Sequence, residues 1–485
     1  MIQRYDEVEG RYIDSVLLMQ ITRDLEKEKG VSKAAVMTGS RANLEVMRNI
    51  GFEPPSGVKD TSVIIAVEAD SDEAAKAAID KAFDLMDRRT QEASAASMTL
   101  DDVGTAIGKS DLPVVFISTP GEHVKEVASK ALDAGAHVHI FSSNVPLETE
   151  VMLKRKGHEK GLLVMGPDAG TTILNGKGLG FANAVRRGDV GIVGSSGTGI
   201  QELSVLLHKG GLGVSAAIGV GSADLSAEID GITTKDAVAI LKDSRYLFVI
   251  AKKPDEKVRR EIVDMMKDIP SSFISLGESG EATTGKTYQT GYIDDAVAHA
   301  LRELGMKPFP AAQKPPRADL NGRRLLRGFF VGGSICYQAQ AILARKGTKV
   351  HSNAPADKAY TLPPDWKDLS VCIDTGAEEY VVGKPHPMID PKARNAMVVE
   401  ESKRPEVAVI LIDVVLGFGS AQDLLEGLEG LAKGPIIIAS ICGTDDDKQG
   451  YAKVRAGLEK IGALVFDSAG QAAEYAGDLM KGASG

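Results

Sequence analysis

The pattern that most constrains this chain is one that recurs along it: a short run of Val, Ile and Leu, a turn of Gly or polar residues, then a longer amphipathic stretch. A brief apolar run without polar alternation is a strand covered on both faces, and such strands are joined in parallel by crossover helices. Runs at 114–118, 138–141, 162–165, 247–251, 273–276, 327–331, 407–414, 435–440 and 463–466 carry it. The fold class that follows is α/β and multidomain.

At 485 residues the chain exceeds one ordinary core and divides into about three or four units. The first, 1–106, reads as a small α+β domain and linker, with a helix at 15–29, strands at 34–37 and 63–67, a helix at 71–86 and an Ala/Ser/Thr-rich linker at 88–106. Residues 107–188 read as a Rossmann-like domain and 189–306 as a flavodoxin-like one. Prolines in 307–322 disfavour helix and sheet and mark a linker. A second flavodoxin-like domain follows over 323–485.

A net charge of -10 argues against a nucleic-acid partner, because a phosphate backbone would be repelled. The longest apolar runs fall far short of the roughly 20 residues that cross a bilayer, so no membrane partner is expected. Cys336, Cys372 and Cys442 lack metal-ligand spacing, and the N-terminal segment has no basic stretch followed by an apolar run. The expected location is the cytoplasm. His137 and His139 share one side of a strand but lack a third ligand, so no metal is assigned.

Four turns, each read as a strand-to-helix junction, carry small residues where backbone N–H groups and a positive dipole end would meet an anion. They are GSSGTG, with Ser195, Ser196, Gly197 and Thr198; GGS, with Gly332, Gly333 and Ser334; GFGSA, with Gly417, Gly419 and Ser420; and GTDDD at 443–447. The competing reading is that glycine only permits tight packing. In GTDDD the three carboxylates would repel an anion, so helix capping is the better reading there. None is a Walker loop or a nucleophile elbow. His386 lies between two prolines and is followed by Asp390 and Arg394, an arrangement suited to acid/base work or to a packed loop histidine.

The runs GPDAGTTILNGKGLGFANAV and GDVGIVGSSGTGIQEL resemble the junction of the CoA-binding and first ligase domains of the succinyl-CoA synthetase α subunit. VAVILIDVVLGFGSAQD, PIIIASICGTDDD and GALVFDSAGQAAEYA are similar to the C-terminal ligase domain of its β subunit. With SVLLMQITRDL, RGFFVGGS and GKPHPMIDPKARN, that fused order resembles the FdrA family over nearly the whole chain. The resemblance implies one helix start at Ser196–Thr198, an opposing one at Gly417–Ser420, and Glu202 where the α subunit has a glutamate near its phosphohistidine. It makes Ser118, Thr119, Pro120, Asn144, Asp168 and Asn183 candidate CoA or substrate contacts.

Three departures matter. After the strand at 273–276, where the α subunit has its Gly-His-Ala-Gly loop, the chain reads GESGEATTGKTYQTG and has no histidine. The ATP-grasp domain has no counterpart, and Ala169 stands where the related GPDC or GPNC turns place cysteine. The chain alone is therefore not expected to phosphorylate an acid by the family route.

What the resemblance implies instead is a subunit of a carbamoyl or acyl transferase that uses phosphate, cleaving oxalurate to oxamate and carbamoyl phosphate in allantoin breakdown with separate partner subunits. In this reading His386 is acid/base or binds the departing anion, Asp390 orients it, and Arg394 meets a substrate carboxylate. One alternative is an acyl-CoA synthetase with a separate ATP-grasp subunit. The other is a noncatalytic subunit that binds acyl-CoA or phosphate. CoA and phosphate are the candidate small-molecule partners, and no resident cofactor is assigned.

Overall fold

The computed structural model describes residues 1–9, 13, 15–55, 57–59, 62–94, 112–309, 320–381 and 385–482. The chain divides into two compact units, one of residues 1–109 with 381–385, the other of 110–380 with 386–485.

In the first unit, strands Ile2–Val8 and Val31–Thr38 flank Val63–Ala69 in an antiparallel sheet. Along the central strand, Val63, Ile65 and Val67 face a core with Leu18, Ile21, Ala78 and Met86 from helices Ser15–Leu25 and Asp72–Ser94. Ile64 and Ala66 face Met47 and Phe52 on the other side, as the two-residue period of a strand requires. Strand Ile2–Val8 and helix Arg41–Asn49 escape the sequence reading. The first reads IQRYDEV, whose charged residues hide a strand with only partly covered positions. The last helix runs to Ser94, into the stretch read as linker, whose remaining residues lie outside those described.

The second unit holds three sheets. Strands Val114–Ile117, His137–Ile140 and Val164–Met165 form a parallel sheet with helices Gly121–Asp133 and Leu147–Glu159. The next is an eight-stranded mixed sheet whose centre, Thr287–Thr290, Ser271–Ser275, Tyr246–Ala251, Arg187–Gly194 and Val214–Gly219, is parallel. Hairpin strands Thr171–Leu174 and Lys177–Gly180 extend one edge antiparallel, so the sheet begins before residue 188. The third is a five-stranded parallel sheet ordered Val371–Asp374, Leu325–Phe330, Val407–Val415, Ile436–Cys442, Leu464–Phe466.

One apolar core fills the space between the two larger sheets. Leu203 and Leu206 from helix Gly197–Lys209, Ile335 and Leu343 from Gly333–Arg345, Val297 from Ile293–Glu303 and Ala472 from Ala469–Gly482 all join it. Because the Gly197 and Gly333 helices each follow a strand of a parallel sheet and share this core, their N-termini are brought to one place. Among the described residues no helix is long and apolar enough to cross a membrane.

Candidate functional site

Strand Arg187–Gly194 ends at Ser195, whose N–H donates to the Ile250 carbonyl at 3.0 Å. Ser196 then caps the Gly197 helix, its Oγ accepting the Gly199 N–H at 2.9 Å. Two glycines of GSSGTG serve packing: a methyl at residue 199 would lie 2.5 Å from Ser196 Oγ, and one at 194 would lie 2.7 Å from Ile250 Cγ2. Gly197 is different. Its nearest neighbours are the Gly170 backbone and the Thr171 hydroxyl, both 3.4 Å from such a methyl, and Thr171 Oγ1 is buried without a hydrogen-bond partner.

The opposing helix tip is at Gly332–Ser334. A methyl at Gly332 would sit inside the surface of the Thr198 side chain, so glycine there lets the two tips touch. A methyl at Gly333 would lie 2.6 Å from Asp374 Oδ2 and 3.7 Å from Lys252 Nζ. Asp413 Oδ1 accepts the Val331 N–H at 2.9 Å, while its Oδ2 is buried and unpartnered. Ser195, Gly197, Thr198, Gly333 and Ser334 are all partly exposed.

The segment Gly417–Ser420 holds no helix start, contrary to the expectation that it opposes Thr198. Phe418 pairs with Ala182, Gly417 donates its N–H to Gln449 Oε1 at 3.0 Å, and Gly419 lies against the Phe181 ring. This loop clamps the Phe181–Asn183 segment, and Ser420 Oγ is buried without a partner. In GTDDD the helix begins only at Tyr451. Asp447 is no cap; it accepts from Thr444 N, Ala184 N and Asn183 Nδ2 and ties two domains together.

His386 does reach this region. A methyl at Gly376 would lie 2.5 Å from His386 Nε2 and 2.7 Å from the Val331 carbonyl. His386 Nδ1 accepts the Met388 N–H at 3.3 Å, which puts the ring proton on Nε2, and burial pushes its pKa down to about 4, so the ring is neutral at pH 7. Its expected companions are elsewhere. Asp390 Oδ1 accepts the Lys392 N–H at the start of helix Lys392–Ser402 and does not orient the ring. Arg394 is buried, donates Nη1 to the Asp413 carbonyl at 2.9 Å and offers no charge to a substrate.

Glu202 lies inside the shared core, where it accepts the Ala469 N–H at 2.7 Å. Burial raises its pKa to about 7. Unfolded, the group ionises near its ordinary value; folded, it holds its proton longer, so stability present at acid pH is lost as pH rises through about 7. Replacing Glu202 with Gln is expected to remove a loss of about 3 kcal/mol between pH 5 and pH 8. Urea denaturation at both pH values checks it, and parallel pH profiles for the two proteins would contradict it. Asp294, pushed up to about 6 by burial, contributes a smaller loss that stays in both.

The candidate CoA contacts separate. Ser118, Thr119 and Pro120 follow strand Val114–Ile117, Asn144 follows His137–Ile140, and Asp168 follows Val164–Met165. They gather at the carboxyl edge of the parallel sheet, the usual ligand edge of such folds, and Thr119 Oγ1 is buried there without a partner. Asn183 is not among them. Its amide donates to Leu416 O and Asp447 and accepts from Gln201, leaving nothing for a ligand. The residue that the sequence reading missed is Lys252, which sits just after a buried strand and reads as an ordinary strand-ending charge. It is half-buried beside Gly333, with its pKa lowered by burial.

Comparison with known proteins follows this division. Residues 1–103 match the AllF heavy metal-associated domain, 185–271 the CoA binding domain, and 329–479 the CoA-ligase family. The CoA-binding match thus falls on the eight-stranded sheet. Residues 1–103 contain neither Cys nor His, so this domain offers no thiolate or imidazole for a heavy metal. The uncharacterized protein YahF of Escherichia coli (strain K12) is 35% identical over 94% of this chain and 94% of its own. The ADP-forming succinate-CoA ligase subunit alpha 2 of Archaeoglobus fulgidus is 29% identical over 44% of this chain and 79% of that protein. SauD of Bilophila wadsworthia, an ADP-forming sulfoacetate-CoA ligase subunit, is 27% identical over 23% of this chain and 40% of that protein. With a relative matched over 94% of both chains and the ligase-type domains in one chain, the protein belongs to the FdrA family of the acyl-CoA synthetase superfamily, with α-subunit-like and C-terminal β-subunit-like domains fused.

Proposed function

We propose that the chain traps phosphate, or the phosphate end of carbamoyl phosphate, between the Gly197 and Gly333 helix tips and transfers a carbamoyl or acyl group to or from it. The observation that carries this reading is the meeting of Thr198 with Gly332 beside Lys252. Two helix N-termini and one ammonium supply positive potential, and partly exposed Thr198 and Ser334 hydroxyls add donors. The loop after Ser271–Ser275 packs Gly277 against Tyr337 of the Gly333 helix and carries Glu278 and Ser279 where the α-subunit pattern has its phosphohistidine loop, which favours direct attack by phosphate.

In oxalurate phosphorolysis a phosphate oxygen attacks the ureido carbonyl carbon. The bond from that carbon to the oxamate nitrogen breaks, the nitrogen takes up the proton that the attacking hydrogen phosphate gives up, and carbamoyl phosphate and oxamate leave. Backbone N–H groups and Lys252 hold the phosphate, and neutral His386 donates a hydrogen bond from Nε2–H to the departing anion while keeping its proton. Positioning then supplies most of the rate. Partner subunits complete the enzyme, and the cytoplasm is its proposed location.

A second reading, acyl transfer to CoA, is supported by the CoA-binding match over 185–271 and the CoA-ligase match over 329–479, and at the three-stranded sheet, outside both matches, by the orphaned Thr119 hydroxyl. There Ser118, Thr119, Pro120, Asn144 and Asp168 would hold CoA, which supplies the thiol that accepts the acyl group, and another chain would supply an ATP-grasp domain. Purifying the chain with its copurifying partners and assaying both reactions separates the two. Carbamoyl phosphate formed from oxalurate and phosphate supports the first; thioester formed from acid, ATP and CoA, without carbamoyl phosphate, replaces it with the second. His386→Gln is expected to lower turnover sharply, and near-normal turnover removes His386 from the mechanism.

A further inference from the structure

A separate cavity of about 420 Å³ lies between the Gly277–Gly280 loop, the outer flank of the Gly333 helix and the 349–360 segment. It falls in the size range of small-molecule sites. None of the candidate residues of the phosphate seam or of the CoA edge lines it.

Its walls combine three kinds of group. Tyr292, Tyr337 and Tyr360 contribute rings, and Gly277, Ala341 and Ala344 leave flat space between them. Arg345 and Lys349 contribute charge. The Arg345 guanidinium lies 4.1 Å from the Tyr292 ring centre, and Lys349 Nζ lies 5.6 Å from that of Tyr360. Arg345 pairs with Glu474, but Lys349 enters no ion pair among the described residues. One acid, Asp357, lines the cavity; its Oδ1 accepts the Ala359 N–H at 2.9 Å, which leaves Oδ2 to accept from hydroxyls.

Each candidate ligand class can be held against this set. Inorganic phosphate would use the cations and leave the rings idle, whereas an acyl chain would fill the apolar space and strand Arg345 and Lys349. A flat heterocycle, a sugar bearing hydroxyls and a terminal phosphate use all three. We propose that this cavity binds a nucleoside mono- or diphosphate, its base against the tyrosines, its sugar near Asp357 and its phosphate toward Lys349 and Arg345.

The proposal does not depend on the phosphate seam. Calorimetric titration of the full chain with AMP, ADP, adenosine and inorganic phosphate tests it. AMP or ADP is expected to bind with Kd below about 1 mM, and adenosine at least about tenfold more weakly. Ala344→Trp, which places a large ring over the cavity from an exposed position on its wall, and Lys349→Glu on the exposed rim are each expected to weaken AMP and ADP at least about tenfold. Far-ultraviolet dichroism and a urea midpoint matching the parent report that both variants fold, and inorganic phosphate binding at the seam should stay as in the parent. No AMP or ADP binding, or binding that both variants leave unchanged, overturns the assignment. Loss of phosphate binding in Lys252→Gln with AMP binding retained keeps the two sites distinct.

Discussion

Lys154→Met is expected to cost about 3–5 kcal/mol of stability, the range for removing one partner of a buried charge cluster. Lys154 is 1% exposed, and its ammonium pairs with Asp224 at 2.5 Å and Glu150 at 2.9 Å and donates to the Val220 carbonyl at 2.8 Å. Without it two carboxylates stay buried. Asp224 retains the N–H groups of Thr233 and Thr234, but Glu150, whose pKa burial already raises, retains no cation. The pair joins helix Leu147–Glu159 to the eight-stranded domain, so the loss falls on the junction of the two. Urea denaturation followed by far-ultraviolet dichroism measures it, and adding Asp224→Asn to the variant should recover part of the loss. A loss under about 1 kcal/mol would mean that water reaches the cluster.

Lys252→Gln is expected to weaken inorganic phosphate binding by roughly tenfold to a hundredfold, as removal of one charge-assisted hydrogen bond does. Its fold should survive, because Lys252 is only half-buried and forms no ion pair among the described residues. The acid facing it is Asp374, held by the Gly376 N–H at 3.0 Å and pushed upward by burial. Titration calorimetry with phosphate gives the number. An affinity within about twofold of the parent would take Lys252 out of the seam. Turnover of oxalurate should fall with binding, and Lys252→Arg should restore part of both, since it returns the charge at a shifted position.

The strands of the second unit are legible in the sequence because buried parallel strands are continuous apolar runs, and VAVILIDVV and YLFVIA read no other way. The N-terminal strand is not, because IQRYDEV lies at a sheet edge where one face meets water. The GGS turn is legible as a helix start, and so is GSSGTG. GFGSA is not distinguishable from them by composition. Its glycines serve a different end, allowing the backbone to press against Ala182 and Phe181.

His386, Asp390 and Arg394 show the limit most clearly. Nine residues of sequence suggest a working triad, but Asp390 turns to its own helix and Arg394 turns inward to Asp413. Lys154 reads as one more surface lysine in LETEVMLKRKGHE, and Glu202 as a family-like acid. Both lie buried at domain junctions.

Local periodicity is a property of consecutive residues, so the sequence by itself determines the α/β class and the buried strands of the second unit, and its motifs carry the resemblance to two ligase-type halves. Which helix tip meets which is set by a core shared between segments more than a hundred residues apart. Only that packing places Gly332 against Thr198, brings Lys252 to Gly333 and leaves a tyrosine-lined cavity beside them, because burial and charge pairing depend on neighbours that no local stretch of sequence contains.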